Sequence, residues 1–376
     1  MNNLLYKIHG CLHQNIDIAQ VLPIINSILS DAQMDEAYAT ICQWENYHPT
    51  PLCALDNTAA QFGLRKVYYK DESLRFDLSS FKALGGAYAV EKLVQQHRQT
   101  GGTDYTVTTA TDGNHGRSVA WGAARAGCKA KIFVHRHVSK ERTAAIAAYG
   151  AEIIRTDGNY DDSVNECARF AADNDWQIVS DTSWEGYTAV PTLIMAGYSV
   201  LVRELLEQLD AQKPTHVIVP AGVGGLLAAV AACLARFVQP FPRLIAVESV
   251  YADCLLQSAK NRALTTVDIQ QETLMAGLSC GCPSLLAWEI AAATTSDFIS
   301  IDDAAIGTTM RRLAAGDYGT PLVGGECSAG GLTALQAMSQ LSWDEKREFA
   351  LNEDSVVLLF GTEGITDESA YRQLTQ

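Results

Sequence analysis

The 376-residue sequence predicts an α/β protein of two domains, each built on a mainly parallel open sheet flanked by helices, and three observations predict it. Seven short apolar, strand-like runs recur along the chain: "YTVTTA", "AKIFVH", "AEIIRT" and "QIVS" between residues 105 and 180, then "THVIVP", "RLIAVES" and "SVVLLFG" between 215 and 361. Segments of helical period, "GRSVAWGAARAG", "SKERTAAIAAYG" and "DDSVNECARFAADN", separate the first four. Alternation of buried strands with helices is the signature of parallel sheets. The length exceeds what one compact core holds, and a composition of 48% hydrophobic and 19% charged residues suits a globular chain with ample core.

Residues 83–194 hold one complete set of strand–helix units and form the expected smaller domain; residues 1–82 and 195–376 form the larger one. No linker rich in Pro, Gly or Ser separates them, so the boundary follows pattern alone. At that boundary stands "SSFKALGGAYA", residues 79–89. Two serines are positioned to cap a helix, because their oxygens accept hydrogen bonds from first-turn N–H groups. Lys82 then falls in the first turn, at the positive end of the helix dipole. Burial and the dipole both favour its neutral amine, a nucleophile towards carbonyls. From this segment alone, a surface lysine that snorkels to water stands as an equal alternative.

Two motifs follow strands of the smaller domain. In "TTATDGNHG", 108–116, Gly113 and Gly116 permit unusual backbone angles while Thr111, Asp112 and Asn114 offer polar groups to a crevice at the strand ends; the alternative is a loop that only caps the next helix. His115 reads as an ordinary supporting or surface residue. In "SDTSWEGYTAVPTLIMAGY", 180–198, Asp181 precedes Trp184, Glu185 and Tyr187, and is either a solvated turn acid or part of a pocket wall.

Two more follow strands of the larger domain. The loop "PAGVGGLLAAV" carries Gly222, Val223, Gly224 and Gly225 into a helix, where exposed backbone N–H groups and the dipole attract an anion. Read as a dinucleotide fingerprint it has Gly222 and Gly224, with Glu248 available for a ribose, but Leu227 stands where a third glycine or alanine belongs. The strand "LFGTEG" ends on Thr362, whose hydroxyl donates or accepts.

Composition narrows the function further. A net charge of −15 repels a nucleic-acid backbone, and no basic run offsets it. Ten cysteines without a CxxC pair fit free thiols in a reducing cytoplasm. "CGC" at 280–282 with Cys254 lacks histidines at ligand spacing, so no metal is expected. The N-terminus has no signal-peptide pattern, and the apolar run 217–235 is broken by Pro220 and three glycines, which argues against a membrane span.

The order of these motifs, a lysine after "SSF", a "DGNHG" loop, a glycine loop after a strand and a strand ending "GTEG", resembles the pyridoxal 5'-phosphate enzymes of the tryptophan synthase β-like fold, fold type II. The resemblance implies that Lys82 carries the cofactor through its amine, Asn114 bonds its ring hydroxyl, Gly222 to Gly225 with Val223 hold its phosphate, and Thr362 faces its pyridine nitrogen. From "PTPLCALD" at 49 onward, "KDESLRFDLSSFKALGGAYA", "TTATDGNHGRSVAWGAA", "MAGLSCG" and "GGECSAGGL" look like the diaminopropionate ammonia-lyases. Asp112 is the distinctive residue, because related serine and threonine dehydratases carry a small apolar residue there; a carboxylate suits a substrate with a second, cationic amine.

That family implies α,β-elimination of D- and L-2,3-diaminopropionate to pyruvate and two ammonia. Asp112 is then the base for the D form and Asp181 for the L form, with Lys82 an alternative on the L side. Thr111, Asp112 and Tyr187 are the expected substrate contacts, and a homodimer the expected assembly. The rivals are a dehydratase of serine, threonine or hydroxyaspartate on the same fold, and a cofactor-binding protein without turnover. The first 45 residues carry none of these motifs, and their role is left open.

Overall fold

The computed structural model describes residues 5–111, 113–209 and 212–376. Its strands are β1 (Ile8–His13), β2 (Leu52–Ala54), β3 (Lys66–Asp71), β4 (Thr106–Ala110), β5 (Lys129–Val134), β6 (Glu152–Arg155), β7 (Gln177–Ile178), β8 (His216–Pro220), β9 (Arg243–Ser249), β10 (Asp297–Ile301) and β11 (Val356–Gly361). Strands β4 to β7 make a four-stranded sheet in the order β6-β5-β4-β7, parallel throughout. The other seven make a sheet in the order β1-β10-β9-β8-β11-β3-β2. Its five inner strands are parallel, and β1 and β2 close the edges antiparallel. All seven expected runs are strands.

Strands β1, β2, β3 and β10 are additions to the expectation. In "KVYYKD" two lysines and an aspartate hide the strand pattern of β3, yet Lys70 is wholly buried. In "DFISI" the leading Asp297 is buried against the Arg243 guanidinium, at 2.6 Å from Nε, so a strand that begins with a charge still lies in the core.

Each sheet changes direction once, and ligands of open α/β sheets bind at such a point, beyond the carboxyl ends of the strands. In the large sheet the chain runs outward from β8 to β9 while β11 pairs on the other side of β8. The loops after β8 and β11, carrying Gly222 and Thr362, are therefore neighbours. In the small sheet β4 has β5 on one side and β7 on the other, which makes neighbours of the "DGNHG" loop and Asp181.

Helices Lys82–Gln99, Asn114–Ala126 and Ala189–Gln208 pack together at the junction of the sheets. The small residues after Lys82 permit this approach. A Cβ on Gly86 would lie 2.5 Å from Ser118 Oγ, and one on Gly197 2.6 Å from the Leu84 carbonyl oxygen. Helix Ala189–Gln208 is long and apolar enough to cross a membrane by length and composition, but 78% of its most apolar window is buried in the protein. The run 217–235 is strand β8, a loop that lines the cleft described below and most of helix Gly225–Phe237, with the strand and the helix buried in the core.

A buried charge cluster ties that long helix to the end of β3. Lys70, Glu72, Arg75 and Glu204 are each at most 1% exposed. Arg75 donates to both Glu72 oxygens, at 2.8 and 2.9 Å, and to both Glu204 oxygens, at 2.8 and 2.7 Å; Lys70 Nζ reaches Glu204 at 2.9 Å. Two cations balance two anions. Removing one member strands the others as buried charge, which costs about 3–5 kcal/mol. Glu204→Leu is therefore expected to lose about that much stability in urea denaturation, and a loss below ~1 kcal/mol would contradict the account.

Candidate active site

Loops from both sheets enclose a cleft. Lys82 is the first residue of its helix and lines this cleft. The helix cap is Phe81, which makes no side-chain capping bond; Ser80 Oγ accepts from the Lys82 N–H at 3.3 Å, and Ser79 sits in the left-handed region at φ 52°. The serines thus shape the approach to the helix, and only one of them caps it.

The Lys82 ammonium donates to Asp181 Oδ2, and the two side chains are 21% and 17% exposed. Burial alone would depress the lysine, but the Asp181 carboxylate outweighs it, and its pKa is raised. The expected neutral amine is therefore corrected: with Asp181 beside it, Lys82 is held charged. For Asp181, burial pushes the pKa up while Lys82 and then His115 push it further down, so it lies well below the usual carboxylate range.

His115 is buried behind this pair. Its Nε2–H donates to the Val179 carbonyl at 2.7 Å, and Nδ1 lies 3.9 Å from Asp181 Oδ2 without a hydrogen-bond partner among the described residues. Burial lowers its pKa, so the ring is neutral and Nδ1 presents a lone pair. Thr111 Oγ1 accepts from the Gly113 and Gly116 N–H groups, both at 3.0 Å, and so folds the loop around Asn114. Asp112 lies outside the described residues. Asn114 Nδ2 donates to Glu363 Oε2 at 2.5 Å, a contact that joins the two sheets.

Tyr187 does not line the cleft. Its hydroxyl donates to the Ile178 carbonyl at 2.9 Å and accepts from the Ser180 N–H at 3.0 Å, and its ring stacks on Trp184 at 4.1 Å. The residue expected as a substrate contact instead braces the loop that presents Asp181. Glu248 is likewise committed elsewhere: fully buried, it accepts from the Leu255 and Leu256 N–H groups at 2.7 and 2.8 Å, so the ribose reading of the glycine loop fails. Among the described residues no group of three or more His, Cys, Asp or Glu could hold a metal ion.

The loop Gly222–Gly225 enters the first turn of helix Gly225–Phe237, with Gly224 left-handed at φ 97°. A Cβ on Gly222 would lie 3.1 Å from the Gly277 carbonyl oxygen and 3.2 Å from Cys280 Sγ, so the cradle closes on any side chain there. Facing it, Thr362 Oγ1 is buried without a partner among the described residues.

A family model described as pyridoxal-phosphate dependent enzyme matches residues 44–361. The diaminopropionate ammonia-lyase of Escherichia coli strain K12 is 41% identical over 350 residues, covering 87% of each chain. That of Salmonella typhimurium strain LT2 is 38% identical over 356 residues, covering 88% of each. The crystal structure of the E. coli enzyme in complex with an aminoacrylate-PLP azomethine reaction intermediate superposes with a TM-score of 0.88 at 36% identity, over 99% of this chain and 98% of that one. The chain belongs to the pyridoxal-phosphate-dependent enzyme family.

The site fits the cofactor of that family. The glycine cradle at a helix N-terminus suits a phosphate, and a buried hydroxyl without a partner is costly unless something binds it. Glu363, Tyr198 and Arg142 line the cleft without having been singled out from the sequence, while His115 takes the supporting place that was one of its two readings. Glu363 directly follows Thr362, and Tyr198 closes the "IMAGY" motif, so both were in view as sequence and lacked only a partner.

Gly222→Val should weaken pyridoxal phosphate binding at least about tenfold, a difference of 1.4 kcal/mol, in an absorbance titration of cofactor-free protein; unchanged affinity would move the phosphate elsewhere. A second expectation concerns Glu326, buried beside Glu363 at the start of helix Glu326–Gln340. Burial and then repulsion by Glu363 push its pKa up to about 7. A carboxyl raised by folding contributes stability below its unfolded value and loses it as pH rises through the folded one. Thermal stability should therefore fall as pH rises towards 7, and Glu326→Gln should flatten that fall.

Proposed function

We propose that the chain catalyses α,β-elimination of 2,3-diaminopropionate, D and L, to pyruvate and two ammonia. The observation that carries this reading is one cleft in which a helix-start lysine, a depressed aspartate, a glycine phosphate cradle and an unpartnered threonine hydroxyl converge, in a chain 41% identical to a diaminopropionate ammonia-lyase. The bound cofactor withdraws electrons from the α-carbon of an amino acid joined to it, so that the Cα proton becomes acidic.

This chain's residues do the rest. Lys82 would hold the cofactor through its amine, at the place the substrate's α-amine would take. Gly222, Val223, Gly224 and Gly225 hold the phosphate, Asn114 the ring hydroxyl, and Thr362 the pyridine nitrogen. A hydroxyl partner leaves that nitrogen largely unprotonated, which disfavours transamination. Asp181, kept ionised, takes the Cα proton of the L form, and Asp112 takes that of the D form. Opposite enantiomers present the proton to opposite faces, so each needs its own base. The β-amine leaves as ammonia, and hydrolysis of the remaining aminoacrylate gives pyruvate and the second ammonia.

The same reading has residues 83–194 as the small domain, 1–82 and 195–376 as the large one, and a homodimer acting in the cytoplasm on a small amino acid, with neither nucleic acid nor membrane as partner. The acidic net charge of −15 and the scattered cysteines support it.

Ammonia and pyruvate release from both enantiomers of diaminopropionate, with serine and threonine alongside, is the direct test. Turnover of serine or threonine without diaminopropionate would replace the reading with a dehydratase. Lys82→Ala should abolish turnover. Asp112→Asn should suppress the D form and Asp181→Asn the L form, each selectively by about 10²- to 10⁴-fold, the range a general base contributes. Equal losses for both enantiomers in both variants would instead assign the acids to substrate binding.

A further inference from the structure

Asp181 is not the only group built around the Lys82 ammonium. Nζ lies 5.4 Å from the Phe81 ring centroid and 5.7 Å from that of Tyr198, and these two rings meet edge to face at 4.7 Å. Aromatic faces attract a cation at such distances, the more so when water is excluded. Tyr198 is 1% exposed, and its hydroxyl has no hydrogen-bond partner among the described residues.

The placement of that phenol is demanding. A Cβ on Gly85 would lie 2.4 Å from Tyr198 Cε1, so the ring fits only because "KALGG" has no side chain there. Phenylalanine would fill the same space without burying an unpaired hydroxyl, which is costly. Burial outweighs the nearby Lys82 and keeps the phenol protonated, so it remains a neutral hydroxyl beside the lysine. The other groups that act on this corner are Asp181 after β7, His115 on helix Asn114–Ala126 and Cys280 on the far wall. His115 is neutral, so among the described residues Asp181 is the anion and Lys82 the cation of the corner.

We propose that Phe81, Tyr198 and Asp181 form a docking pocket for the Lys82 amine when it is not joined to the cofactor, with the two rings and the Tyr198 hydroxyl as positioning residues that keep it an ammonium. The proposal deepens the function given above and rests on Lys82 being the cofactor lysine. In the exchange, one carbon–nitrogen bond to Lys82 breaks as one to the substrate amine forms. The substrate arrives as an ammonium and Lys82 departs as one, so protons balance within the cleft. Held as an ammonium, the released lysine has no lone pair with which to recapture the cofactor before the substrate has reacted.

The test follows the rate at which cofactor-free full-length protein captures pyridoxal phosphate, read by absorbance across pH, with melting temperature measured in parallel. Tyr198→Phe keeps the ring and removes the hydroxyl; Tyr198→Leu removes both. Capture needs the neutral amine, so weakening the pocket should move its pH midpoint down, by about one unit in the second variant, from the strength of such cation contacts, and by less in the first, which keeps the ring. Tyr198→Phe should melt no lower than wild type, since it sheds an unpaired hydroxyl. Midpoints that stay put in both variants overturn the pocket, as does a shift confined to a variant whose melting temperature has dropped. A wild-type protein that captures no pyridoxal phosphate, or a Lys82→Ala protein that captures it as wild type does, would fail the functional reading itself.

Discussion

The buried pairing of Arg75 with Glu72 and Glu204 is the constraint on which the rest of the site depends. Beyond Arg75 the chain takes three left-handed non-glycine residues, Phe76, Asp77 and Ser79, at φ 51°, 58° and 52°. Such conformations cost about 1–2 kcal/mol each and persist only where the surroundings hold them. Arg75 supplies that hold: every guanidinium nitrogen donates to a carboxylate, and Thr50 Oγ1 and the His48 carbonyl take further bonds at 3.1 and 3.3 Å. The twisted segment then runs beside the end of β11. Phe81 N–H donates to the Thr362 carbonyl at 3.1 Å, and Gly364 N–H to the Ser79 carbonyl at 2.9 Å. Lys82 and Thr362 are thereby set at a fixed separation before any ligand binds.

Glu204 lies on the helix that also carries Tyr198, so the same cluster fixes the wall behind the lysine. A cation at a helix start opposes the dipole, and burial opposes it further. Both arguments point towards a neutral lysine, and both are overruled by one carboxylate at contact distance. The position of Asp181 is itself built from neutral bonds. Tyr187 braces the loop through the Ile178 carbonyl, and the Ser183 hydroxyl meets that of Ser284 from the large sheet at 2.7 Å. The acid that sets the charge of Lys82 is therefore held from both sheets at once.

How far the sequence was legible follows from this division. Strands made of apolar residues could be read, and so could the loops after them, because turn glycines and strand ends are local features. Strand β3 could not, because its Lys70 is a core residue only in the company of Glu204, 134 positions away. The role of Tyr187 was misjudged for a related reason. An aromatic near a site acid suits a pocket wall, but whether its hydroxyl turns inward or back to its own loop depends on the Ile178 carbonyl of a two-residue strand. The charge on Lys82 was misjudged because helix position and burial are one-dimensional information, whereas the Asp181 contact is not.

Two treatments of buried polar groups coexist in this molecule, and their contrast locates the ligand. In the cluster around Arg75, each charged side chain has partners within hydrogen-bond distance and the net charge is zero, so the region stores stability and asks for nothing more. In the cleft, Thr362 Oγ1, Tyr198 Oη, His115 Nδ1 and Arg142 Nε are buried without partners among the described residues. Unpaired groups gathered in one cleft, beside glycines that keep side chains out, suit a ligand that binds there. Their cost is borne by the protein until that ligand arrives and pairs them, which ties cofactor affinity to the stability given up in its absence.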